Sequence, residues 1–125
     1  MELLLDSHAL LWWLTGDRRL PPTAREQIAD GGKPVWVSAA SLWELSIKAQ
    51  LGRLDLPDNF LESLSISGFQ ELAIHWPHAE LAAKLPPIHS DPLDRMLVAQ
   101  ASIEGLRLVT RDERLAEYGI PTLWR

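Results

Sequence analysis

One pattern constrains this chain more than any other. Twice before Gly52, a short apolar segment runs directly into a helical one that a glycine then stops. Glu2 to Leu5 reads as a strand ending at Asp6, and Ser7 to Leu14 as a helix closed by Gly16. Pro34 to Ser38 reads as a second strand from its β-branched and aromatic content, and Ala39 to Gln50 as a helix closed by Gly52. Strands that are apolar without alternation are buried on both faces, and strand–helix repeats return the chain to a parallel sheet by right-handed crossovers. The expected class is α/β, a mostly parallel central sheet with a helical layer on each face.

Later segments continue the alternation. Thr23 and Glu26 have the spacing of a capping box that opens a short polar helix ending at Gly31 and Gly32. The middle of the chain predicts a helix from near Asp58, a strand over Glu71 to Ile74, and a helix after Pro77 that stops before Pro86. Leu93, Met96, Leu97 and Ile103 recur at helical spacing over Pro92 to Glu104, with Gly105 as the stop. Arg107 to Thr110 predicts a strand, Asp112 to Glu117 a short helix, and Pro121 to Trp124 an edge strand. No linker or repeat interrupts the 125 residues, so one domain over residues 1–125 is expected.

Composition narrows the classes of function. With 46% hydrophobic and 23% charged residues the chain is an ordinary globular one, and with no cysteine it has neither disulfides nor a thiolate zinc site. Leu3 to Leu5 lacks a basic lead-in and is cut by Asp6, and no apolar run approaches the roughly 20 residues that span a bilayer. A cytoplasmic protein without a membrane segment is expected. A net charge of −5 speaks against holding nucleic acid by charge alone, though not against a nuclease whose acids bind cations.

Four acids stand where an open parallel sheet places its ligand crevice, outside the carboxyl ends of the strands. Asp6 follows the first strand, Asp112 lies just past the strand that ends at Thr110, and Glu44 sits in the first turns of the helix after Ser38. Asp94 opens the long helix before the Arg107 strand. Carboxylates gathered on one rim repel unless a cation lies among them, and hard divalent ions such as magnesium take such oxygen ligands. A metal site of this kind cleaves phosphodiesters through a metal-activated water, with no protein nucleophile.

The segments Asp6-Ser7-His8-Ala9-Leu10-Leu11-Trp12, Ser41-Leu42-Trp43-Glu44, His89-Ser90-Asp91-Pro92-Leu93-Asp94-Arg95 and Thr110-Arg111-Asp112 together resemble PIN domains of the VapC toxin type. Each motif is short, but their order and their spread over nearly the whole chain are those of the family. The resemblance implies a PIN-like three-layer α/β/α sandwich and a metal-dependent endoribonuclease using Mg2+ or Mn2+, the toxin of a toxin–antitoxin pair. It also implies RNA as substrate, a small cognate antitoxin and a homodimer as partners. The family's acidic quartet falls on Asp6, Glu44, Asp94 and Asp112, with Thr110, Ser7 and Asp91 as auxiliary residues. The family commonly has threonine in place of Ser7 and phenylalanine in place of Leu93.

Plainer roles stand beside these. Asp6, Ser7 and Asp112 are suitable N-caps, Asp94 is a first-turn acid favoured by the helix dipole, and Ser41 with Glu44 has capping-box spacing. Asp91 before Pro92 is favoured as an N-cap, with an outer ligand as the alternative. Caps alone do not explain why the acids of several helices share one rim. Arg95 and Arg111 flank the quartet and suit either phosphate oxygens or neighbouring acids. His8, His75, His78 and His89 have no paired ligand spacing and are assigned to no metal. Trp12, Trp13, Trp36, Trp43, Trp76 and Trp124 mostly lie in apolar runs, which places most of them in a core or interface.

Two other functions fit parts of the pattern. A phosphatase of the haloacid-dehalogenase kind also carries an aspartate after its first strand, but requires a second one where His8 stands. A catalytically silent PIN-like binding module would not need the full set of acids.

Overall fold

The computed structural model describes residues 1–125. Five strands, β1 (Leu3–Leu5), β2 (Val35–Ser38), β3 (Gln70–Leu72), β4 (Arg107–Val109) and β5 (Thr122–Leu123), form one sheet in the order β3-β2-β1-β4-β5. Every neighbouring pair is parallel. The helices are α1 (Ser7–Thr15), α2 (Pro22–Ala29), α3 (Ala39–Gln50), α4 (Phe60–Ile66), α5 (Trp76–Lys84) and α6 (Pro92–Glu104), with a 3₁₀ helix over Glu113–Tyr118.

The β1 triplet shows why the sheet has two covered faces. Leu3 and Leu5 point into a core with Ala9, Leu10 and Trp12 of α1, Ala24 and Ile28 of α2, Leu45 of α3 and Phe60 of α4. Leu4 points the other way, into a core with Leu97, Val98 and Ala101 of α6 and with Leu115. Side chains alternate along a strand, so three consecutive buried leucines require helices on both sides. The result is the three-layer α/β/α arrangement. No helix is long and apolar enough to cross a membrane.

Most element boundaries fall within two residues of the sequence reading, and the exceptions have local causes. The Thr23–Glu26 capping box does not form: α2 begins at Pro22 behind an extended Pro21, with no side-chain cap. Proline's fixed φ suits the first helical position, so Thr23 lies inside the first turn and cannot cap it. Ser41 with Glu44 is likewise not a box, because α3 is already capped by Ser38, whose hydroxyl accepts from the Ala40 amide at 3.0 Å. β3 begins one residue and ends two residues earlier than expected, paired through Gln70–Leu72 with Trp36–Ser38. α5 starts at Trp76, before Pro77, where the His75 amide donates to the His78 ring at 3.0 Å. Trp43 and Trp76 are 62% and 91% exposed, so these two stand outside the core.

The order of strands fixes where a ligand can bind. From β1 the chain adds β2 and β3 on one side, then returns to place β4 and β5 on the other. The connections that leave the carboxyl ends of β1 and β4 therefore run to opposite sides, a switch point where α/β sheets open a crevice. Leu4 is wholly buried against α6 beneath it. Leu4→Ala is expected to destabilise the chain by about 2–5 kcal/mol in denaturant melts, and a loss under about 1 kcal/mol would show that the second helical layer is not packed on β1 as described.

Candidate active site

A cleft of about 280 Å³ opens at the switch point, lined by Asp6, Ser7, His8, Glu44, Lys48, Asp91, Asp94, Arg111 and Asp112, with no apolar residue among them. All four acids singled out from the sequence line it, and Asp91 is a fifth carboxylate. The elements deliver them as follows. Asp6 is the first residue past β1, its amide bonded to the Val109 carbonyl of β4 at 3.1 Å. Its side chain caps α1 by accepting from the Ala9 amide at 2.8 Å. Asp112 caps the 3₁₀ helix through the Arg114 amide at 3.0 Å, and Asp91 caps α6 through the Leu93 amide at 2.9 Å. Asp94 is in the first turn of α6. Each is thus both a local cap or first-turn acid and part of one cluster.

Glu44 is set by neighbours from two helices: the Ser7 hydroxyl donates to it, and Lys48 lies one turn on with Nζ at 3.3 Å. Buried Thr110 accepts the Asp112 amide at 3.1 Å and its hydroxyl supports Asp6. Arg111 lies over the Trp12 ring, its Cζ 5.0 Å from the centroid. Arg95, in contrast, does not face the cleft. Its guanidinium donates to the carbonyls of Ala82 (2.9 Å), Leu85 (2.8 Å), Pro86 (3.0 Å) and His89 (3.2 Å), fastening the loop between α5 and α6. A planar fork with five N–H donors satisfies several carbonyls at once, which explains why arginine stands here and removes Arg95 as a phosphate contact.

Three further side chains contact the acids of the cleft. His89 is buried with Nε2 at 2.9 Å from Asp112 Oδ2 and 3.3 Å from Asp94 Oδ2, and these three side chains could together surround one cation. Arg114 pairs with Asp112 at 2.9 Å, and Lys48 pairs with Glu44. A lysine one helical turn after Glu44 was a visible cue for the last; His89 opens the motif that ends at Arg95, but without paired ligand spacing the sequence assigned it no part in the metal site.

The electrostatics separate the acids into two kinds. Burial pushes the Asp6 carboxyl up, against the Ala9 amide and Thr110 hydroxyl that favour its charge. Asp94 is pushed up to about 6, first by burial and then by the Asp91 carboxylate. Asp112 is held down at about 2 by its hydrogen bonds from Arg114. Two desolvated oxygen donors without a fixed countercharge are the donor set that a hard divalent cation fits.

The PIN domain model matches residues 3–121, and the chain belongs to the PIN-domain family. It is 35% identical to Ribonuclease VapC22 of Mycobacterium tuberculosis (strain ATCC 25618 / H37Rv) over 133 aligned residues, covering 98% of each chain. Among solved structures it resembles DNA-bound VapBC from Salmonella typhimurium, with TM-score 0.74 and 21% identity over 98% of this chain and 97% of that one. It also resembles VapBC2 from Rickettsia felis bound to a promoter DNA fragment, with TM-score 0.72 and 14% identity over the full length of both chains.

The raised Asp94 pKa has a definite sign for stability. Between about pH 4 and 6 the folded chain keeps a proton that the unfolded chain has released, so this group's contribution falls as pH rises through that window. In chelator, Asp94→Asn should therefore melt higher than the parent at pH 7 by about 1 kcal/mol, discounted for partial exposure, with the gap closing by about pH 4. A variant that melts lower at pH 7 would show Asp94 to be a stabilising first-turn acid only.

Proposed function

We propose that this chain is an endoribonuclease acting as the toxin of a toxin–antitoxin pair, with Asp6, Glu44, Asp94 and Asp112 holding Mg2+ or Mn2+. The observation that carries this reading is the gathering of these acids, from three strand–helix junctions and a helix start, into one cleft where two of them are desolvated. The likeness to a ribonuclease over the whole chain supports the same substrate class. Bound among the acids, a divalent cation supplies an activated water and charge neutralisation at the phosphate.

The chain's own residues do the positioning. Ser7 and Lys48 fix the orientation of Glu44. The Ala9 amide and Thr110 do so for Asp6, and Asp91 closes the rim as the cap of α6. Arg111, held over Trp12 at the edge of the cleft, is placed to meet a phosphate oxygen of the RNA. A cleft this small admits a single strand or loop and does not open a duplex, so RNA shape and unpaired bases set the specificity. A catalytically silent module is disfavoured because burying these acids is costly without a ligand to balance them.

The likeness to solved VapBC complexes supports a small antitoxin as partner. An apolar groove lined by Leu42, Leu61, Leu64 and Phe69 suits an amphipathic segment of it. Trp43, Ile47 and Leu51 form an exposed stripe one turn apart on and just past α3, which supports a homodimer.

With purified chain and total RNA, cleavage is expected in magnesium or manganese and none in excess chelator. Asp6→Asn should lower the rate by roughly 100-fold or more. Cleavage that persists in chelator, or a fully active Asp6→Asn, would overturn the reading. Arg111→Ala is expected to raise KM by about tenfold, the loss of one charge-assisted contact. An unchanged KM would remove Arg111 from the RNA path.

A further inference from the structure

We infer that His89 is a positioning residue that holds Asp94 and Asp112 in a single arrangement for the cation, without being a ligand itself. The inference rests on the metal-site reading above. The His89 amide donates to the Tyr118 hydroxyl at 2.9 Å and its carbonyl accepts from Arg95 at 3.2 Å, so the backbone is tied to α6 and to the end of the 3₁₀ helix. The ring is 8% exposed.

The hydrogen bonds then assign the ring proton. The Asp91 amide can only donate, and it points at Nδ1 from 3.1 Å, so Nδ1 is an acceptor. The proton therefore lies on Nε2, directed at Asp112 Oδ2 at 2.9 Å, with Asp94 Oδ2 at 3.3 Å. Arg114 Nη2 lies 2.9 Å from the same Asp112 oxygen and 3.0 Å from Nε2; neither nitrogen can accept, so both donors converge on the carboxylate. A ring nitrogen that carries a hydrogen has no lone pair for a metal. His89 accordingly acts through the carboxylates, tying an acid at the start of α6 to one past β4. Partners of this kind around metal ligands set their orientation, and losing one typically weakens metal binding by about 10–100-fold.

Glutamine and asparagine separate the two ring nitrogens. The side-chain amide of His89→Gln reaches roughly to where Nε2 lies and can still donate to the acids, whereas that of His89→Asn reaches only to the Nδ1 position. Manganese binding to the full chain, read by titration calorimetry, should weaken about 10–100-fold in His89→Asn and stay within about threefold of the parent in His89→Gln. Equal loss in both variants would make the ring a direct ligand and overturn the inference, as would wild-type affinity in His89→Asn. Melting in chelator checks that each variant is folded. If His89→Asn is not, Tyr118→Phe takes its place: it removes the hydroxyl that anchors the His89 amide and touches no acid. It should weaken manganese at least about threefold, and wild-type affinity there would overturn the inference. A parent chain that binds no manganese would instead overturn the metal-site reading itself.

Discussion

Everything in this molecule turns on carboxylates held close together and partly out of water. A desolvated acid surrounded by like charges is unstable as an anion, and a fold keeps such a group only where the rest of the structure leaves it no alternative. Here the constraint is imposed by the sheet. β1 lies between β2 and β4, its residues pair in register with both, and the first position beyond its end is Asp6. Leu3, Leu4 and Leu5 are buried on both faces, so β1 cannot slip to carry Asp6 elsewhere without exposing the core.

The acids reach the cleft by a common local device. Asp6, Asp91 and Asp112 each accept a backbone amide at the start of a helical segment, and Asp94 lies within the first turn of α6. A capping hydrogen bond fixes a short side chain at a helix N-terminus, and the helix dipole there favours negative charge. Capping and site formation are consequently the same geometry. The balance differs between members: Arg114 satisfies Asp112, whereas Asp94 has no comparable partner and has its pKa raised. The helices that start at the crevice thus supply both the placement of the acids and part of the field that tolerates them.

The fold and the four principal acids were legible in the sequence because they depend on short-range signals. Apolar triplets, glycine stops and an acid directly after a strand are each visible within a few residues, and α3 and α6 have the bounds that their glycine and proline signals predict. What was not legible depends on contacts across the chain. Arg95 and Arg111 look alike beside their acids, yet one grips the carbonyls of a loop and the other lies over Trp12. His89 meets Asp112 across 23 positions of sequence, and Ser7 meets Glu44 across 37, distances at which no local pattern operates. The mistaken capping box at Thr23 has a different origin: Pro22 starts that helix earlier, and one competing start signal outweighs a spacing.

The central claim is that a divalent cation supplies the countercharge that two desolvated acids lack. Such a cation must displace whatever proton Asp94 retains, and calorimetric titration of manganese in buffers of different ionisation enthalpy counts that proton directly. With Asp94 pushed up to about 6, binding at pH 6 should release about half a proton from this group, with the release fading by pH 8 and absent in Asp94→Asn. Manganese binding with no proton release at pH 6, or with the same release in Asp94→Asn, would contradict the account.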